Sequence, residues 1–155
     1  MKKVLLLSVV LFLSSFVFSQ HKDEFGYDYK LKNGYKIFTP TWNNIFNSVS
    51  MPSHIFEELM TLYNYKYNNN FESYVLQNPT GQGIYTVKQD NKGMTFAWSG
   101  AILKANDLRE IINKYFVSTI NGVDNYVVNT GNEGRVIINI KDKNSDAGFV
   151  IFRVE

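Results

Sequence analysis

The sequence predicts an α+β domain of two tandem units, each a helix followed by a three-stranded antiparallel meander, behind an N-terminal β-hairpin. Three observations carry that prediction. Apolar residues recur at helix spacing and then at strand spacing, in the order helix, strand, strand, strand, and this order occurs twice. A slide of 52 residues lays the second half on the first with the same faces apolar. Between the strands stand Gly- and Asn-rich turns such as "NPTGQG", "DNKG" and "TGNEG".

The chain starts with Lys2 and Lys3 and runs from Val4 to Phe18 with only Ser8, Ser14 and Ser15 interrupting the apolar residues. A spanning helix needs about 20 apolar residues. This shorter run, followed at once by "QHKDE", reads as a secretory signal peptide, residues 1–19, cleaved after Ser19. The expectation is an exported chain, periplasmic or extracellular, with no stable membrane anchor after cleavage. The chain has no cysteine, which closes the acylated-cysteine anchor and excludes thiolate nucleophiles, Cys–zinc sites and redox work. Losing Lys2 and Lys3 leaves 14 basic against 14 acidic residues, so nucleic acid is not an expected partner. Residues 20–155 suit a single domain rich enough in Phe and Tyr to build a core without disulfides.

Residues 25–39, "FGYDYKLKNGYKIFT", predict the hairpin: Phe25, Tyr27, Tyr29 and Leu31 alternate with polar or small residues, and Asn33-Gly34 suits a type I′ turn. "TPTWNNIFNSVSMP" (39–52) reads as an irregular connection pinned by Trp42, Ile45 and Phe46. A helix over Ser53–Tyr67 follows, with Phe56, Leu59, Met60, Tyr63 and Tyr67 on one stripe. Strands are predicted near 73–77, 84–89 and 94–103. A second helix is predicted over 107–121, ending at Asn121-Gly122. Strands near 124–129, 135–141 and 149–154 complete the second unit.

The two units span about 53–103 and about 107–154. The offset puts Phe56 on Leu108, Leu59 on Ile111, Met60 on Ile112 and Tyr63 on Tyr115, and "ESYVLQ" on "DNYVVN". One added residue puts "IYTVKQDN" on "IINIKDKN" in the same alternation phase. Two such units related by a pseudo-twofold could join edge to edge, with both helices on one face, or pack face to face. The element order is similar to helix-on-meander modules such as cystatins, and to the tandem arrangement of β-lactamase inhibitor proteins. That likeness is one of architecture, without a shared motif, and implies no activity.

Chemistry-bearing constellations are sparse. His21 sits at the expected mature N-terminus, and His54 in the first turn of a helix has no "GxSxG" elbow to serve. Asp142, Asn144 and Asp146 alternate like calcium-loop ligands, but Ala147 and Arg153 stand where the turn Gly and bidentate Glu belong. That stretch reads as a hairpin loop. Adjacent Glu57 and Glu58 diverge by about 100° on a helix and cannot act as a pair. No catalytic, cofactor or metal site is expected. The function expected is non-enzymatic binding of a protein or polymer through a sheet face or helix groove, with Tyr65 and Trp42 as surface anchors. The alternative is a small-molecule or lipid carrier with an internal apolar cavity.

Overall fold

A computed structural model describes residues 21–77, 83–100, 103, 105–129, 134–142 and 147–155. The leader expected at 1–19 lies outside the described residues. Strands β1 (His21–Lys22), β2 (Asp28–Lys32) and β3 (Tyr35–Phe38) form a three-stranded antiparallel sheet. The turn between β2 and β3 places Asn33 at φ 50° and Gly34 at φ 81°, the left-handed pair a tight hairpin requires. Alternation misassigns three positions here. Phe25 and Leu31 are 61% and 54% exposed, whereas Asp28 on the polar phase is buried by hydrogen bonds to the next element.

That element is a helix where an irregular connection was expected: α1 (Trp42–Val49). Thr41 caps it, its side-chain oxygen accepting from the backbone N–H of Asn44 at 3.2 Å. Asn43, Asn44, Asn47 and Ser48 are weak helix formers, so tertiary bonds supply what propensity does not. Asn44, with no exposed surface, accepts from the Asp28 N–H and donates to the carbonyls of Asp28 and Thr39. At the other end the Gln89 amide donates to the carbonyls of Ser48 and Met51, at 2.6 and 2.7 Å. Those groups close the end of the helix.

Helix α2 (Ser53–Leu62) stops five residues before the predicted end. Asn64 adopts φ 61°, and its N–H donates to the Thr61 carbonyl while the Tyr65 N–H donates to Met60. This is a Schellman ending with Asn in the place Gly usually takes. Lys66–Asn68 then form β4, followed by β5 (Ser73–Gln77), β6 (Ile84–Asp90) and β7 (Gly93–Ser99).

Helix α3 (Asn106–Ile112) is likewise shorter than expected and closes in a 3₁₀ turn over Asn113–Tyr115. Its predicted second half is strand β8 (Phe116–Ile120), where Val117, Thr119 and Ile120 favour extended backbone. Asn121 and Gly122, at φ 52° and 76°, turn β8 into β9 (Val123–Asn129) and do not end a helix. Strands β10 (Arg135–Lys141) and β11 (Gly148–Val154) follow.

Eight strands form one antiparallel sheet in the order β4-β5-β6-β7-β11-β10-β9-β8. The two meanders, each of four strands and not three, meet at their last strands. Equivalent buried pairs flank that seam: Val87 opposite Phe96 and Tyr85 opposite Trp98 on one side, Ile140 opposite Val150 and Ile138 opposite Phe152 on the other. In the next strand out, Leu76 opposes Tyr85 as Tyr126 opposes Ile138. The 52-residue offset set Tyr74 on Tyr126, two residues from this register but on the same face. The helices also differ, since Leu59 is 8% exposed and Ile111 is 53% exposed.

Buried side chains from all three helices, from β3 and from one face of the large sheet form a single core. Phe38 stacks on Phe96 with ring centroids 6.0 Å apart, and the edges of Trp42 and Phe56 meet Phe152 and Tyr74. Every one of those sheet residues belongs to the same face.

Candidate functional site

Among the described residues, the opposite face of the eight-stranded sheet contributes no large side chain to that core. Its pairings run in rows across the strands. One row is Lys66, Val75, Thr86, Ala97, Phe149 and Lys141, crossing from β4 to β10. The next is Lys88, Thr95, Ile151, Asn139, Asn125 and Ser118. A third holds Asp90, Gly93, Arg153, Ile137 and Val127. The central side chains of these rows, Thr86, Thr95, Ala97, Ile137, Asn139, Phe149 and Ile151, are half-buried against their row neighbours. Lys66, Arg135, Lys141 and Arg153, at the strand ends, are exposed.

Two details shape the face. Asn139 donates to the Asn125 side chain at 2.7 Å, and Asn125 donates in turn to the Ser118 carbonyl at 3.3 Å, which ties three strands into one flat polar strip. At the other margin Lys88 and Glu72 make an exposed ion pair at 3.0 Å beside a cleft of about 430 Å³ lined by Tyr67, Asn69 and Ser73.

On the covered side, Arg109 of α3 reaches down between two buried carboxylates. Its guanidinium donates to both oxygens of Asp142 at 2.6 Å and to Asp124 at 3.0 Å. Asp142 also accepts from the Ala105 N–H, and Asp124 from the Thr119 hydroxyl. Burial works against the Arg109 charge, but the bonds and charges of Asp142 and then Asp124 outweigh it and push its pKa up. The group therefore stays ionised and pins α3 to β9 and to the end of β10. A second tether joins the hairpin sheet to α2, where the Tyr63 hydroxyl donates to Asp23. Burial, then that bond and the Asp23 charge, raise the Tyr63 pKa.

The residues singled out in the sequence fall in separate places. Tyr65, expected to face solvent on a helix, is 3% exposed because the helix ends at Leu62 and turns its ring inward. There its hydroxyl accepts from the Phe38 N–H at 3.3 Å, and burial pushes its pKa up, so it cannot anchor a partner. Trp42 is half-buried, stacked on Phe46, which is 66% exposed. His54 is exposed beside Glu57, Glu58 and Thr61 in an open groove on α2, and His21 stacks on Tyr29. Asp142 is committed to Arg109, while Asn144 and Asp146 lie outside the described residues. Among the described residues no cluster of three or more His, Asp or Glu could hold a metal ion. No described helix is long and apolar enough to cross a membrane.

The sequence pointed to a sheet face or a helix groove without saying which residues make up the face, because that depends on strand order. Its local signal was the alternation that sets Thr86 and Lys88, and Asn139 and Lys141, opposite the apolar face. No family model, no curated protein and no solved structure matches this chain.

Proposed function

We propose that this chain is an exported, non-enzymatic binding domain that docks a protein or polymer partner on the open face of its large sheet. The observation that carries the proposal is the one-sidedness of that sheet: among the described residues, three helices and the small sheet cover one face and no helix or strand covers the other. A broad face of half-buried Thr, Ile and Phe with a polar margin has the composition of a non-obligate interface. Export rests on the character of residues 1–19, and delivery to the periplasm or medium follows from it.

We also read the sheet as a duplication of one helix-and-meander unit. Support comes from the matching buried pairs on either side of the β7–β11 seam and from the sequence offset that relates them. Growth by edge joining removes one open edge from each unit and yields a continuous face twice as wide.

One described cavity supports a binder over a carrier. The space between the hairpin sheet and the large sheet, lined by Lys32, Tyr35, Ile37, Leu76 and Tyr85, is about 10 Å³. That is room for one water and not for a lipid. The test is a pair of charge insertions at the centre of the face, Thr95→Glu and Ile151→Glu. Partner capture from the cell envelope and medium is expected to vanish while the circular dichroism spectrum and melting temperature hold. Capture undiminished in both variants removes the sheet face from consideration.

A further inference from the structure

The equal numbers of cations and anions in residues 20–155 hide an uneven placement of charge. Among the described residues, five strand cations share the open face: Lys66, Lys88, Arg135, Lys141 and Arg153. Three acids lie with them. Glu72 is tied to Lys88, Asp90 accepts from the backbone of Lys92, and Glu155 sits opposite Arg135. The covered side is mixed, with the exposed acids Glu57 and Glu58 on α2 and Asp107 and Glu110 on α3, and the exposed cations Lys22, Lys30 and Lys36 on the hairpin sheet.

The arrangement matters more than the count. In the longest row Lys66 and Lys141 close the two ends, with Val75, Thr86, Ala97 and Phe149 between them. Five strand spacings put those two cations about 24 Å apart across an uncharged interior. Arg135 and Arg153 stand at the other ends of β10 and β11. The result is an uncharged centre with Lys66, Arg135, Lys141 and Arg153 at its rim, Lys88 being taken up by Glu72. Protein interfaces place charge in this way, with rim charges steering encounter and choosing the partner.

Building on the docking proposal above, we infer that the occupant of the open face is a folded protein whose own contact patch is apolar and ringed by carboxylates. A nucleic acid fits less well. Phosphate tracking wants cations clustered along a groove with stacking aromatics between them. Here the cations are dispersed, and Phe149 is half-buried among its neighbours. Complementary rim charge accelerates association and makes it sensitive to ionic strength, because exposed charges are screened within about 10 Å at 0.1 M salt.

A photo-cross-linking residue placed at Thr95, at the centre of the face, and in a separate variant at Glu58 on α2, tests this in cells that make the protein. The expected result is a protein adduct from Thr95 and none from Glu58. Binding of the purified adduct partner to the unmodified chain is expected to weaken at least tenfold between low and moderately high salt. It is expected to weaken at least tenfold again in a Lys66→Gln, Lys141→Gln, Arg153→Gln variant that keeps its melting temperature. A Thr95 adduct whose partner ignores salt and the triple substitution overturns the acidic partner and leaves face docking standing. An adduct destroyed by nuclease or glycosidase overturns the protein partner. Adducts from Glu58 alone, or from neither position, overturn the inference and the docking proposal together.

Discussion

The guanidinium of Arg109 holds both carboxylate oxygens of Asp142 at 2.6 Å, joining the middle of α3 to the strand end 33 residues later. Asp142 and Asp124 are each 2% exposed, so neither charge has bulk water to fall back on. Replacing Arg109 by Met leaves two buried carboxylates facing each other. The loss expected is about 3–5 kcal/mol, the usual cost of removing one partner of a buried ion pair. Urea denaturation measures it, and a change below about 1 kcal/mol would mean that the cluster is solvated and structurally idle.

Raising the pH attacks the protein through its tyrosines. Burial raises the pKa of Tyr63, Tyr65, Tyr74 and Tyr85, and of Tyr27 with help from the nearby Asp23 charge. In the unfolded chain these phenols ionise near about pH 10, so above that value the unfolded state binds fewer protons than the folded one. Their contribution is intact below about pH 10 and declines as pH climbs past it. Tyrosinate absorbance should rise in step with loss of the far-ultraviolet signal. A titration complete before any unfolding would contradict the burial of these rings.

Tyr65→Phe isolates a single hydroxyl. The ring remains, but the buried Phe38 N–H loses its acceptor, for an expected cost of about 1–3 kcal/mol. Tyr67→Phe, on a ring that is 56% exposed, is the control and should shift stability by less than about 0.5 kcal/mol. Equal effects at the two positions would argue that Tyr65 is not inside.

Gly93 is constrained by neighbouring backbone. A methyl group there would be driven into the carbonyl oxygen of Phe152, and strand β11 cannot retreat without breaking the seam. Gly93→Ala should cost about 3 kcal/mol or more. Gly122, with no atom within 4 Å of a built side chain but at φ 76°, should tolerate alanine with a smaller loss set by backbone strain alone. Thermal melts of the two variants provide the comparison, and a stable Gly93→Ala protein would put β7 and β11 further apart than described.

Much of the strand layout was legible because it is written in local terms. Asn33-Gly34 specifies its turn by backbone preference, and Tyr85, Val87, Ile138 and Ile140 announce their face by alternation. The helices were less legible. Asn64 ends α2 by adopting a left-handed conformation that its residue type allows but does not demand. Asn44 makes α1 possible only because Asp28 and Thr39 arrive beside it from elsewhere in the chain. In the second unit Asn121-Gly122 looked like a helix end and is a hairpin turn, since both uses need the same φ. The candidate site was hidden for a related reason. Lys66 and Lys141 are 75 residues apart in sequence and become opposite ends of one row only once the sheet has formed.

The place of β11 has a consequence for biosynthesis. It sits at the middle of the large sheet, yet it follows every other strand of that sheet in the chain. While the polypeptide emerges from the ribosome, the first meander can fold, but its β7 edge stays bare until the latest-made strand arrives. Completion of the sheet therefore waits on β11, and until it arrives the open edge is where a chaperone would find most to hold.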